Sequence, residues 1–157
     1  MPSLPPSDPA LEAKLRLLVE SYRRLTGRSI LPDLALEDAA EALWNASFAI
    51  VAHGTEADPL FFYGNEYALR CFEMSFEDFT RLPSRLSAEQ VNQEAREQAL
   101  RQVAERGYID GYSGMRLASS GRRFMIEQCT IWNLTDAAGM AHGQAACFIV
   151  QDQPQGE

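Results

Sequence analysis

Lysine is almost missing from this chain: Lys14 stands alone, and arginine supplies the rest of the 14 basic residues. Histidine is as scarce, with only His53 and His142. Each stands apart from the other, so no metal site is expected. Three cysteines, Cys71, Cys129 and Cys147, form no CxxC pair, and their odd number implies neither a disulfide framework nor a zinc site. The longest unbroken apolar run spans residues 145–150, far short of the roughly 18–20 residues that a membrane helix needs. No basic stretch followed by an apolar one opens the sequence, so a secretory signal is not expected and a cytoplasmic location is. No nucleophile-elbow motif accompanies the histidines, and a catalytic triad is not expected either. Positive charge is also in deficit, 14 basic residues against 22 acidic, for a net charge of −8. Without a basic stripe the chain is poorly suited to phosphate backbones, and direct nucleic-acid binding is not expected.

What remains is the composition of a folded domain, 46% hydrophobic and 23% charged over 157 residues. Residues 1–8 are rich in Pro and Ser and read as a loose leader. Ser7 or Asp8 then caps a helix with Pro9 at its first position, where a missing N–H costs nothing. Leu11, Leu15, Leu18, Tyr22 and Leu25 recur at helical spacing on one stripe, and Gly27 ends the helix. That stripe reads as packing within the domain or as a dimer contact through Leu11, Leu15, Leu18 and Tyr22. A second, acidic helix is expected over residues 34–45. Residues 9–45 thus form a helical extension ahead of a core at 46–152, with a short tail at 153–157.

The core begins with strands at 47–52 and 60–63. Asn65 caps a helix through Phe72, and Ser75 with Asp78 forms a capping box for a short helix. Ser87 and Gln90 read as another capping box, opening a long polar helix to Arg106 whose narrow apolar edge is Val91, Ala95, Ala99 and Val103. Strands at 108–118, 122–134 and 143–150 complete an antiparallel meander. Two strands, several short helices and three more strands make one antiparallel sheet with helices on a face. In the strand at 122–134, unbroken alternation puts Phe124, Ile126, Gln128, Thr130, Trp132 and Leu134 on one side, with Met125, Cys129 and Ile131 on the other. A sheet with one wet face alternates more cleanly. Both faces are therefore expected to be covered, one by the internal helices and the other by the N-terminal helix or a second subunit.

This order of elements is similar to the PAS sensor fold, an α+β architecture with a five-stranded antiparallel sheet, short helices on one face and, here, an N-terminal helical extension. The blocks Gly54-Thr55-Glu56-Ala57-Asp58-Pro59, Tyr63-Gly64-Asn65, Leu82-Pro83-Ser84-Arg85 and Tyr112-Ser113-Gly114-Met115-Arg116 resemble the MEKHLA domain. So do Ser120-Gly121-Arg122-Arg123-Phe124, Trp132-Asn133-Leu134 and Gly143-Gln144-Ala145-Ala146, and together they run over roughly residues 15–150. The resemblance is to the free-standing bacterial form, since no DNA-binding region of the kind found in the plant transcription factors accompanies it. It implies a sensory or regulatory module. Leu69-Arg70-Cys71-Phe72 resembles a fragment of the flavin-binding motif but lies too early for a covalent adduct. The long helix holds no histidine for haem. Neither cofactor is expected.

Candidate ligand contacts are Arg85 and Arg116, whose guanidinium groups suit a carboxylate, and Gln128, Thr130, Trp132 and Tyr63. The arginines can equally form internal ion pairs, for instance with Glu127 or Asp110. The reading is a non-catalytic module that binds a small molecule or a protein partner and forms a homodimer. The alternatives are a ligand-free interaction domain and a small cone-shaped isomerase or dehydratase using Asp110, Glu127 or His53.

Overall fold

The computed structural model describes residues 8–88 and 90–150, without the side chains of 90–93. All of the expected leader except Asp8, and the whole of the tail, lie outside the described residues. Helix α1 (Pro9–Thr26) is capped by Asp8, whose carboxylate accepts the Ala10 amide at 3.1 Å. Gly27 closes it at φ 74°. A 3₁₀ turn at Leu36–Asp38 leads into α2 (Ala39–Trp44), shorter than the helix expected over 34–45 because its first turn winds tightly and no side chain caps it.

Strands β1 (Ala49–His53) and β2 (Phe61–Gly64) are followed by α3 (Glu66–Phe72) and α4 (Phe76–Phe79). After a 3₁₀ turn at Ser84–Ser87 come α5 (Gln90–Arg106), β3 (Tyr108–Leu117), β4 (Arg123–Thr135) and β5 (Ala141–Val150). The Ser87 hydroxyl donates to the Ser84 carbonyl at 2.7 Å, so Ser87 closes the 3₁₀ turn. All neighbouring strands are antiparallel, in the order β2-β1-β5-β4-β3. Gly143 is required where β5 passes β1: at φ 128°, a Cβ there would fall 2.0 Å from the His53 carbonyl oxygen.

The sheet separates two apolar cores. On the inner face, Ala49, Val51, Phe124, Ile126, Cys129, Ile131, Phe148 and Val150 pack against Tyr67, Phe72 and Phe79, with Val103 of α5. On the outer face, Ile50, Ala52, Tyr63, Trp132, Leu134 and Ala145 pack against α1 and α2. Helix α1 is thus the cover that the two-sided apolar pattern calls for. Trp132 fixes its position, with Nε1 donating to the Leu18 carbonyl at 3.3 Å and the ring meeting Tyr22 edge-on at 4.9 Å.

This placement corrects the dimer reading of the stripe. Leu15, Leu18 and Tyr22 are buried within the chain's own outer core, and Leu11 packs at its margin. The apolar area that a coiled contact would use is already covered by Trp132 and its neighbours.

Unbroken alternation along β4 is corrected too. Gln128 has φ 54° and adds one residue to β4 relative to both neighbours: three steps from Glu127 to Thr130 match two on β5, from Ile149 to Cys147. Three steps from Ile126 to Cys129 likewise match two on β3, from Gly114 to Tyr112. Such a bulge inverts the side-chain parity beyond it. Phe124 and Ile126 therefore face inward with Cys129 and Ile131, whereas Thr130, Trp132 and Leu134 face outward beneath α1.

Asn65 ties the layers together. Its Oδ1 accepts the amides of Ile50 and Ala68, capping α3, and its Nδ2 donates to the carbonyls of Leu43 and Phe48. All four hydrogen-bonding positions of a fully buried amide are used.

Candidate functional site

Beneath the inner face lies a cavity of about 50 Å³. Its wall is mostly apolar, including Val51, Phe61, Phe72, Ile126, Ile131 and Phe148, and its polar members are His53, Ser87, Arg96, Arg116 and Gln144. Sheet parity delivers His53 from the end of β1 and Gln144 from β5, which pair across the strands. The α5 helix delivers Arg96 one turn before Ala99 and Leu100, and β3 delivers Arg116.

The electrostatics of this wall are unusual. Arg96 and Arg116 are each only 7% exposed, and neither has a carboxylate partner among the described residues. Arg116 is held in place by its own strand: Nη1 donates to the Met115 carbonyl at 2.8 Å, and the guanidinium lies 5.6 Å from the Tyr112 ring centre. Arg96 makes no hydrogen bond among the described residues. Burial, reinforced by the like charge of Arg116, pulls its pKa down to about 10, against weak support from Tyr112 and Glu97. His53 is held neutral mainly by burial, and Arg96 adds to that effect. Its Nδ1 is 3.1 Å from the Gly54 carbonyl, which places the neutral ring's proton there and leaves Nε2 buried with no hydrogen bond.

Gln144 links the cavity to the neighbouring elements. Its Nε2 donates to Asn133 Oδ1 at 3.1 Å and to the Leu100 carbonyl at 3.3 Å, while Asn133 Nδ2 donates to the Val103 carbonyl. One chain of amides therefore joins β5, β4 and α5.

Of the six residues anticipated as ligand contacts, Arg116 alone lines this cavity. Arg85 is half-exposed at the surface, paired with Asp58 at 3.1 Å, because it lies on the outer side of a 3₁₀ turn whose Ser84 and Ser87 are the buried ones. Gln128 is the exposed bulge residue. Thr130 is beneath α1, its hydroxyl donating to Asp110 at 2.7 Å. Trp132 and Tyr63 are wholly buried in the outer core, across the sheet from the cavity. The residues considered for acid–base chemistry are not assembled: Asp110 is engaged by Arg28 at 2.9 Å, which holds its carboxyl below the usual range, and Glu127 is not part of the wall. Only His53 of those three reaches the cavity.

Arg96, His53 and Gln144 were not anticipated as a group. Arg96 carried a signal: on the 3.6-residue period it shares a stripe with Ala99, Leu100 and Val103, where a charge has no place in a packed edge. The edge drawn through Val91, Ala95, Ala99 and Val103 drifts around the helix, and Ala95 is exposed.

Among the described residues no group of three or more His, Cys, Asp or Glu could hold a metal, and no helix is long and apolar enough to cross a membrane. Similar solved structures include the PAS domain of a protein from Colwellia psychrerythraea, 16% identical with a TM-score of 0.64, covering 73% of this chain and 95% of that one. The light-state dimer of the fungal blue-light photoreceptor Vivid is 15% identical with a TM-score of 0.57, covering 83% and 92%. A light-oxygen-voltage domain studied with a flavin analogue is 16% identical with a TM-score of 0.60, covering 72% and 84%. No curated protein matches the chain.

The residues do not fit a flavin of the kind such neighbours suggest. A cavity of roughly 150 Å³ is needed for benzene alone, three times the space here. Cys71 sits outside the wall, in the inner core on α3, and burial pushes its thiol up to about 12. The fold is nonetheless the PAS fold, with a five-stranded antiparallel sheet in an α+β arrangement. The model of the MEKHLA domain matches residues 12–151, nearly the whole chain, and the protein belongs to the MEKHLA domain family.

Proposed function

We propose that this domain is a non-catalytic sensory module that admits a small molecule to the inner cavity and reports its presence through the sheet. The observation that carries this reading is the set of buried polar groups around one apolar cavity: among the described residues neither Arg96 nor Arg116 has a carboxylate partner, and neither Arg96 nor His53 Nε2 makes a hydrogen bond. A core built only for stability pairs such groups or replaces them with hydrocarbon. Support for the reporting step is the continuity of the wall. The strands that line the cavity also carry Trp132 and Ala145, on which α1 rests. A shift in β4 or β5 on binding reaches α1 directly.

The reading places no dimer contact on the α1 stripe and gives no catalytic role to Asp110 or Glu127. Native mass spectrometry of the purified protein tests it. A retained small molecule, lost when Arg96 and Arg116 are both replaced by Met, is the expected result. If neither a retained nor an added small molecule binds, the reading fails, and the domain is better regarded as a ligand-free interaction module.

A further inference from the structure

We infer that the cavity takes a small organic carboxylate, its charged end held by Arg96 and Arg116 and its apolar end resting among Phe61, Phe72 and Phe148. The inference rests on the small-molecule reading above and narrows it to one charge class and one size.

Three features point the same way. First, two guanidinium groups share the wall of one cavity, and among the described residues no Asp or Glu belongs to that wall. Two like charges brought together out of water repel each other and lose hydration; a single anion between them reverses both penalties at once. Second, Arg96 makes no hydrogen bond among the described residues, so its N–H groups remain free to donate. Arg116 holds only a carbonyl at 2.8 Å and a long contact of 3.4 Å to the Tyr112 hydroxyl. Planar, forked donors match a carboxylate better than a spherical ion, since each can offer two parallel N–H bonds. Third, the remaining wall is hydrocarbon and aromatic, which suits a ligand with an apolar tail and disfavours a bare inorganic anion.

The volume sets the size. About 50 Å³ is room for a few water-sized groups, at roughly 10–15 Å³ each. That matches a carboxylate of two or three carbons, four or five heavy atoms. His53 Nε2 lies in the same wall as an acceptor, its ring proton being on Nδ1 toward the Gly54 carbonyl, so it gives an acceptor-only carboxylate no bond and is not part of its grip.

The test uses the full chain, dialysed into a buffer containing no carboxylate. Acetate, propionate and butyrate are titrated by calorimetry and by thermal unfolding. Acetamide and propionamide serve as neutral counterparts of nearly the same shape, with sodium chloride at matched ionic strength. The expected result is saturable binding and a raised Tm with at least one carboxylate, and neither with the amides or chloride. Arg96→Gln should weaken that binding tenfold or more, with Arg96→Met as the second variant should the first fail to fold.

Equal binding of an amide overturns the charge assignment while leaving a small-molecule cavity in place. Equal protection by chloride overturns the choice of an organic carboxylate. Carboxylate binding that Arg96→Gln, Arg96→Met and Arg116→Gln all leave unchanged puts the ligand elsewhere and overturns the site. Failure of all carboxylates to bind, with a bare protein in native mass spectrometry, removes the inference and the reading beneath it together.

Discussion

Replacing Arg96 with Met should make the ligand-free protein more stable, the opposite of the usual outcome for a buried residue. A guanidinium brought from its ordinary value down to about 10 has its charged form opposed by about 3 kcal/mol, at roughly 1.4 kcal/mol per pH unit. Both values lie above neutral pH, so folded and unfolded chains are both charged at pH 7 and the whole penalty is present there. It lifts only as pH rises through about 10 toward the ordinary arginine range. Methionine keeps much of the arginine stem's contact with Leu100 and its neighbours but brings no charge. After allowance for imperfect packing, a gain of about 1–3 kcal/mol is expected. For a chain of this length that is a Tm rise of roughly 2–10 °C. Differential scanning calorimetry in carboxylate-free buffer at pH 7 measures it. Arg116→Met is the internal comparison: it forfeits the bond to the Met115 carbonyl and the contact with Tyr112, and should be neutral or cost about 1 kcal/mol. A Tm that falls by more than about 2 °C in Arg96→Met would refute the reasoning, because it would mean that the guanidinium is held by the protein itself.

Three further outcomes follow from the same geometry. Asn65→Ala removes four buried hydrogen bonds that join α2, β1 and α3, and should cost about 4 kcal/mol or more in urea unfolding; a loss under 1 kcal/mol would show that the joint is not needed. Tyr63→Phe deletes a buried hydroxyl that makes no hydrogen bond, so stability should hold or rise by up to about 1 kcal/mol, and a marked loss would point to an undetected partner. His53 titrates in the folded chain below its ordinary 6.5 because burial disfavours the imidazolium, Arg96 adding to this while the Gly54 carbonyl, Glu56 and Gln144 oppose it. The unfolded chain therefore takes up that proton first. Stability should be fully present above about pH 6.5 and decline as pH falls through the native value, by at most about 1.4 kcal/mol per pH unit. Urea midpoints between pH 5 and 8 should show a flatter profile in His53→Gln, and an identical profile would remove His53 from the account.

Most of the architecture was legible in local signals. Pro9 behind Asp8, Asn65 before a short helix, Ser75 ahead of Asp78 and the glycines after α1 and α5 are chemical stops and starts that need no tertiary information. The apolar run on both sides of β5 announced a sheet covered on both faces. What local signals did not reveal was the bulge at Gln128. Its cause is a fit between three strands, and nothing in Glu127-Gln128-Cys129 marks it. One added residue moved Thr130 and Trp132 to the far side of the sheet, and the anticipated pocket went with them. Arg96 was missed for a different reason: small alanines on α5 blurred its inward edge. The true stripe appears only once β3 and β4 show which way that helix faces.

The deviations from ordinary folding rules in this chain fall into two groups. Asp33, Glu73 and Gln128 adopt positive φ, yet Glu73 closes α3 and Gln128 forms the bulge, so those two conformations serve the fold itself. A tyrosine hydroxyl at position 63 sits unpaired in the outer core, a single neutral atom of modest cost. The deviations around the inner cavity are of another kind. Two buried arginines and a histidine nitrogen converge on one space of about 50 Å³, and their contacts with the fold are limited to those of Arg116 with Met115 and Tyr112 and of His53 with Gly54. Local conflicts that compensate nothing structural, and that meet at a single point, mark the place where selection acts on something other than stability. In this protein that place is not the α1 stripe, the Asp110 salt bridge or the exposed Arg85, all of which have partners. It is the junction of β1, β3, β5 and α5, where two buried guanidinium groups meet with no carboxylate partner among the described residues.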